Sequence, residues 1–325
     1  MQKILILGAK GMLGQELVEV YKGDKEYEVT AWDQEDIDVT DLVALRQKVT
    51  DLLPDVIFNA VAYNAVDACE EDDQEYLKAE ILNSDVPEEL AKIAKNIQAK
   101  LVHYSTDYVF DGECPKHSEG EVGVFCDDAC VKYTCENSGN RPSYYTYRED
   151  DAPHPLSRYG LSKLHGEQNV ARYADHYYII RLSKLFGKPA ISAVGKKSFF
   201  DMMRELGDKS GKAGAEQFNM VKAVDGEVSK FTYAPDLARV SKDIIEKNLL
   251  SGIIHVANDG VASWYDGAKE LFDILGFTTE IVPVPPETFP RPAKRPASSV
   301  LSVTKVPQLR HYRDALREYV EKKDK

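Results

Sequence analysis

In the first half of the chain, short apolar runs alternate with longer stretches in which apolar positions recur every three to four residues. The runs at 3–7, 28–32, 56–58, 101–105 and 177–182 are rich in Ile, Leu, Val, Phe and Tyr. Strands covered on both faces carry this pattern, because neither side of the pleat meets water. Between them, 12–21, 42–52, 73–96 and 157–173 read as helices with one apolar stripe. The alternation predicts an α/β fold, a doubly wound parallel sheet of Rossmann type. Beyond 182 the rhythm loosens. Helices are expected at 198–206, 234–248 and 263–275, and strands at 252–256 and 279–284. Pro283, Pro285, Pro286, Pro290, Pro292 and Pro296 predict an extended stretch that excludes helix. A last amphipathic helix is expected at 312–320, before a lysine-rich tail, and there is no internal repeat.

Composition narrows the classes. With 325 residues and 43% hydrophobic content, the chain can bury one large domain or two joined ones. A net charge of −13 argues against nucleic acid as a partner, so any anionic ligand must meet a local basic patch. No stretch approaches the ~20 apolar residues of a membrane span. The N-terminal apolar run lacks the flanks of a signal peptide and reads as a strand, which makes the cytoplasm the expected location.

Chemistry first enters at 8–14, Gly8-Ala9-Lys10-Gly11-Met12-Leu13-Gly14, between the first strand and the first helix. A helix N-terminus offers unpaired N–H groups to an anion, and glycines let a pyrophosphate approach the backbone. Asp33 ends the second strand, where a carboxylate can take ribose hydroxyls and favour NAD; Lys10 could instead meet the 2′-phosphate of NADP. Asp38 and Val39 could flank the adenine, or Asp38 could simply cap the next helix. Asn59, Ala60 and Ala62 follow the third strand with little bulk, as close cofactor approach or close packing would require. The expected division is a dinucleotide-binding part, 1–182, with an inserted loop at 113–151, and a smaller substrate-binding α/β part, 183–325.

The fourth strand ends in Ser105-Thr106-Asp107-Tyr108-Val109-Phe110-Asp111-Gly112. Ligands of doubly wound sheets bind at such carboxyl ends. Tyr159 and Lys163 lie four apart at the start of a predicted helix, so both face one side. An ammonium beside a phenol favours the phenolate and brings proton transfer towards neutral pH.

Together these runs, with Asn59-Ala60-Val61-Ala62-Tyr63-Asn64-Ala65-Val66-Asp67 and Arg295-Pro296-Ala297-Ser298-Ser299-Val300-Leu301, resemble the dTDP-4-dehydrorhamnose reductase family of extended short-chain dehydrogenases/reductases. The resemblance covers most of the chain. It implies reduction of the 4-keto group of a nucleotide-activated deoxysugar by NADPH or NADH. Thr106, Tyr159 and Lys163 would be catalytic, with Tyr159 as proton donor. Ser105, Tyr159 and Lys163 would also touch the cofactor. Tyr63, Val66, Asp67, Thr106, Tyr108, Arg291 and Arg295 would lie near the sugar nucleotide, arginine suiting a diphosphate through its bidentate fork. Related dehydratases would be expected to carry glutamate where this chain has Tyr108, which favours simple reduction. The other readings are a non-catalytic, NAD(P)-binding regulatory subunit of the methionine adenosyltransferase beta type, or a nucleotide-sugar epimerase or dehydratase. A homodimer is the expectation for the class.

Two stretches depart from the family pattern. The loop 113–151 is much longer than expected and holds Cys114, His117, Cys126, Cys130 and Cys135. Its four cysteines could hold a structural zinc, pair as two disulfides, or remain free thiols. Whatever its chemistry, the loop is expected to cover the sugar pocket or form a subunit contact. After Arg181, where the family would be aromatic-rich, the chain reads Leu182-Ser183-Lys184-Leu185-Phe186-Gly187. The sugar is therefore less legible than the chemistry.

Overall fold

A computed structural model of the chain describes residues 1–113, 146–192, 197–210 and 220–323. Six strands form one parallel sheet: β1 (Gln2–Leu7), β2 (Tyr27–Trp32), β3 (Val56–Asn59), β4 (Lys100–Thr106), β6 (Tyr177–Leu182) and β11 (Gly252–His255), in the order β11-β6-β4-β3-β1-β2. A two-residue strand, β5 (Thr146–Tyr147), precedes β6 in the chain but lies outside this sheet. The order reverses between β1 and β3, and the crevice at such a switch point is where these sheets bind ligands.

Period-two alternation divides the sheet's side chains between two cores. Ile4 and Ile6 face α1 (Met12–Tyr21) and α8 (Ala234–Glu246). Leu5 and Leu7 face α2 (Leu42–Leu52), α5 (Val86–Ile97) and α6 (Arg158–Tyr173). Each fully buried Leu, Ile or Val contributes ~1.5–3 kcal/mol relative to exposure, so burial on both faces fixes the register of the layer. The sixth strand and α8 come from the second half of the chain, which therefore returns to the sheet after 183.

The helix expected over 73–96 is instead three pieces, α4 (Asp73–Glu80), a π-helical turn (Ile81–Asp85) and α5. Pro87 explains the break. Proline has no N–H and its ring crowds the carbonyl four residues back, here Asn83. A further helix, α3 (Val66–Glu71), had no periodic signature in the sequence.

The rest of the second half packs on an aromatic core of Phe186, Phe200, Phe231, Tyr233, Phe272, Tyr312 and Tyr319. It contains α7 (Phe199–Ser210), α9 (Trp264–Leu275), α10 (Tyr312–Lys323) and paired short strands. β7 (Leu185–Phe186) pairs with β10 (Thr232–Tyr233), β8 (Met220–Val224) with β13 (Glu280–Val284), and β9 (Ser229–Lys230) with β12 (Val261–Ala262). The expectation that the proline-rich stretch excludes helix is corrected at one place: Pro286–Thr288 forms a 3-10 turn, with proline where its missing N–H is harmless. β14 (Val300–Leu301) pairs with β5, so the Arg295–Leu301 run is tied to the chain segment that precedes α6. Among the described residues no helix is long and apolar enough to cross a membrane.

Candidate active site

The turn after β1 brings the chain against its own backbone. Gly8 has φ +77°, and a Cβ there would lie 3.0 Å from the Ala60 carbonyl carbon. A Cβ on Gly14 would fall 2.0 Å from the Gly8 oxygen. A side chain is excluded at Gly14, and at Gly8 it would be strained by the positive φ and by the backbone of Ala60 and Val61. No side chain caps the N-terminus of α1, so the N–H groups around Met12 and Leu13 face the mouth of the switch point. The residues present fit a dinucleotide pyrophosphate. Asp33 is already engaged: its carboxylate accepts from the Lys10 N–H at 2.8 Å and the Gln34 N–H at 2.9 Å, pinning the glycine turn to the end of β2. Its remaining lone pairs are what a ribose could use. The Lys10 ammonium pairs with Glu35 at 2.9 Å. Asp38 accepts from both the N–H and the hydroxyl of Thr40, and it is Asp41 that caps α2. Val39 packs partly into the core beneath.

The segment after β3 is held from below. Asn59 accepts from the Val61 N–H at 3.2 Å and lies 3.2 Å from His103 Nδ1. Ala60 hydrogen-bonds back to β1, and Ala62 is exposed. Asn83, buried in the π turn, accepts from the Tyr63 N–H and donates to the Tyr63 carbonyl, both at 2.9 Å, and donates to Ser162 Oγ at 3.0 Å. It thereby ties this segment to α6. Asn83 sits inside a stretch whose periodicity reads as one helix, and Pro87, four residues on, is the signal of the break.

Thr106, Tyr159 and Lys163 meet at the carboxyl end of β4. Ser157 caps α6 by accepting from the Gly160 N–H. A Cβ on Gly160 would sit 2.3 Å from the Tyr108 carbonyl oxygen, so glycine lets the helix press against the turn that follows β4. Tyr108 stands edge-on to Tyr159, ring centroids 6.2 Å apart. Burial pushes the Tyr159 phenol well above its ordinary pKa, and a hydrogen bond with the Thr106 hydroxyl partly opposes this. The expectation that Lys163 would depress the phenol is thus corrected. Lys163 Nζ donates to the Tyr104 carbonyl at 2.6 Å, and burial pushes its own pKa down to about 8, with Glu167 one turn on acting the other way. A low-dielectric pocket penalises charge on both groups, and burial is the largest influence on each. The site keeps a protonated phenol ready to donate. Ser105 Oγ, buried beside Thr106, has no hydrogen-bond partner among the described residues.

The substrate-side residues form two clusters. Tyr63, Val66 and Tyr108 pack around Tyr159 and buried Cys69, and the Tyr63 hydroxyl is hydrogen-bonded to Glu75. Asp67 holds Arg295 in a bidentate pair at 2.5 and 2.7 Å, which keeps the Asp67 carboxyl below its usual range. Arg291 is paired with Glu227. Both arginines are thus already bound to carboxylates. Glu227 also accepts from Trp264 Nε1 at 3.2 Å, and Ser299 donates to Asp107 at 2.5 Å. Burial pushes Asp107 up to about 6. Lys184, Glu227, Trp264, Asp107 and Ser299 were not singled out from sequence, because nothing local links residues so far apart in the chain.

Cys114, Cys126, Cys130 and Cys135, the zinc candidates, lie outside the described residues, as do His117 and most of the loop that carries them. Among the described residues no group of three or more His, Cys, Asp or Glu could hold a metal. A cleft of about 360 Å³ is lined by residues that include Arg46, Lys92, Lys95 and Arg172. It lies at the C-terminal ends of α5 and α6, off the strand ends that carry the chemistry, and three of its cations are paired with Glu89, Glu88 and Asp175.

The described geometry agrees with what the chain is similar to. It is 31% identical to the spore coat polysaccharide biosynthesis protein SpsK of Bacillus subtilis (strain 168), over 99% of this chain and 98% of that protein. A crystal structure of a dTDP-4-dehydrorhamnose reductase from Clostridium acetobutylicum superposes with a TM-score of 0.82 at 33% identity, covering all of both chains. The dTDP-4-dehydrorhamnose reductase of Bacillus anthracis, solved in complex with NADP, gives 0.80 at 27% identity over 99% of this chain and all of that one. The RmlD substrate binding domain family matches residues 1–324, and the chain belongs to that family.

Proposed function

We propose that the chain is an NAD(P)H-dependent reductase of the 4-keto group of a dTDP-linked deoxyhexose. The observation that carries this reading is the convergence of Thr106, Tyr159 and Lys163 at the end of β4, with the phenol kept protonated by burial. When bound, a reduced nicotinamide supplies the hydride. Tyr159 donates its proton to the carbonyl oxygen as that carbonyl is reduced, help of a kind that gives ~10²–10⁴-fold. Thr106 donates a hydrogen bond to the same oxygen as negative charge grows, worth ~3 kcal/mol. Lys163 has N–H groups beyond the one given to Tyr104, and these hold the ribose of the cofactor. Gly8, Gly11, Met12, Leu13 and Gly14 receive the pyrophosphate. Asp33 and Asp38 with Val39 receive the adenosine end, Lys10 serving a 2′-phosphate if the cofactor is NADP. Asn59, Ala60, Ala62 and Ser105 line its path. Tyr63, Val66, Asp67, Tyr108, Arg291 and Arg295 form the nucleotide-sugar side. The two parts divide functionally near 182, with 234–255 returning to the cofactor layer. As a user of NAD(P)H the protein belongs in the cytoplasm, and a homodimer is the assembly we propose, to be read by sedimentation.

The test is oxidation of NADPH and of NADH with a dTDP-4-dehydro-6-deoxyhexose. Turnover that Tyr159→Phe reduces at least ~10²-fold, with cofactor affinity retained, supports the reading. Tight cofactor binding by the wild type without turnover of any keto-sugar nucleotide would return the chain to a non-catalytic, regulatory role.

A further inference from the structure

Lys184 is an unusual residue in its setting. It stands two positions after Leu182, the register partner of Thr106 on the neighbouring strand. Its φ is +41°, a conformation that a residue with a Cβ adopts only at a cost, and such strain clusters at functional sites. Its ammonium lies 4.5 Å from the Trp264 ring centroid and 5.1 Å from that of Phe231. It donates to the carbonyls of Ala262 at 2.8 Å and Glu227 at 3.2 Å. An ammonium has three N–H donors, and the third has no hydrogen-bond partner among the described residues.

That group borders a small cleft that also involves Tyr108, Glu227, Ser229, Trp264 and Ser299. Tyr108 and Ser299 connect the cleft to the catalytic site, through the Tyr159 ring and through Asp107. Ser229 is an independent sign of a ligand. It is 2% exposed, yet its hydroxyl has no partner among the described residues. A buried hydroxyl left unpaired is costly, and a site that receives a ligand is one setting where it is tolerated.

Charge decides what that ligand carries. Burial is the largest influence on the Lys184 ammonium and pushes its pKa down to about 7, against Asp107, Glu227 and Asp266, which face it and favour its charged form. A carboxylate or phosphate would add negative charge beside three carboxylates and a lysine whose charge burial already weakens. A neutral hydroxyl adds none, and can accept from Lys184 while pairing with Ser229. We propose that Lys184 and Ser229 hold a ring hydroxyl of the nucleotide sugar, remote from the carbonyl that is reduced, and so determine which sugar is accepted. This rests on the reductase reading above.

The test compares dTDP-4-dehydro-6-deoxyglucose with its 2-deoxy and 3-deoxy forms, in wild type, Lys184→Met and Ser229→Ala. A site built to hydrogen-bond a hydroxyl rejects the analogue that lacks it. The wild type is expected to lose at least ~30-fold in kcat/KM on one deoxy ketone, and in both variants that loss should shrink below ~3-fold, with NADPH affinity unchanged. A wild type that does not discriminate overturns the proposal. So do variants that lower hydroxylated and deoxy substrates alike, since that is a purely structural role. Ser229→Ala removes one oxygen atom and guards against misfolding of the lysine variant. Failure of the reductase reading would appear separately, as no wild-type turnover with NADPH bound. The same comparison then runs on binding of dTDP-glucose and its deoxy forms by calorimetry, where equal affinities in wild type and variants, or no binding by either, overturn the assignment.

Discussion

At the turn after β1 the proposed ligand surface is backbone; in the cleft around Lys184 it is side chain. The first is made by seven consecutive residues whose glycines remove obstacles, Gly14 approaching Gly8 so closely that no Cβ fits. The second is assembled from residues 108, 184, 227, 229, 264 and 299, drawn from five separate places. The first region should therefore respond to steric change in an all-or-none way. The second, a mesh of paired charges, should respond by degrees. Arg291 and Arg295 already have carboxylate partners, so a diphosphate at the proposed site would have to compete with Glu227 and Asp67.

The largest effect is expected at the backbone site. Gly14→Ala places a Cβ 2.0 Å from the Gly8 oxygen, and the turn must open. Cofactor affinity should fall at least ~100-fold, with ~1–3 kcal/mol of stability lost to overpacking, read by fluorescence titration and chemical denaturation. A cofactor affinity within ~3-fold of wild type would show that the turn is not the pyrophosphate site.

Next is a pH effect at Lys163, the proposed catalytic lysine. Lys163 loses its charge above about pH 8, so kcat/KM should fall there, approaching ~tenfold per pH unit. Stability should move the opposite way. The folded pKa lies below the ordinary 10.5, so between these values the unfolded chain binds the extra proton and stability rises with pH. The Lys163 penalty, ~3 kcal/mol in full below pH 8, is relieved as the pH climbs to 10.5. It is isolated by the difference between wild type and Lys163→Met. A basic limb near pH 10 would remove burial as the dominant influence on this group.

Graded behaviour is expected at Arg295. Arg295→Ala leaves Asp67 without its bidentate partner. The KM for the sugar nucleotide should rise ~10-fold, since a charge-assisted pair is worth ~1.5–3 kcal/mol. Cofactor affinity should not change, and a matching loss there would merge the two regions. The smallest effect is at Lys10, whose exposed ammonium pairs with Glu35. Lys10→Ala should weaken NADPH by only ~2–5-fold relative to NADH, as exposed charges are screened. A larger loss would make it the main reader of the 2′-phosphate.

The residues themselves explain what could be read in advance. α1, α2 and β6 begin and end where the apolar pattern does, because their faces are buried along their whole length. The helix over 73–96 failed at Asn83, because periodicity is blind to a proline that shifts the hydrogen bonding of one turn. The relation of Tyr159 to Lys163 was legible as a shared helix face, but its electrostatics were not. Four-residue spacing says who can be neighbours, and only burial says which protonation state each prefers.

By itself, the sequence determined the parallel layer, the glycine turn and the shared helix face of Tyr159 and Lys163, since each is written in contiguous residues or in helical spacing, while Thr106 joined them only through the family resemblance. Tertiary structure alone decided that the last strand of the sheet comes from 252–255, that Asn83 clamps the catalytic helix, and that Lys184, Glu227 and Trp264 meet beside Tyr108. Those contacts join segments far apart in the chain, and desolvation of a charge exists only once those segments have closed around it.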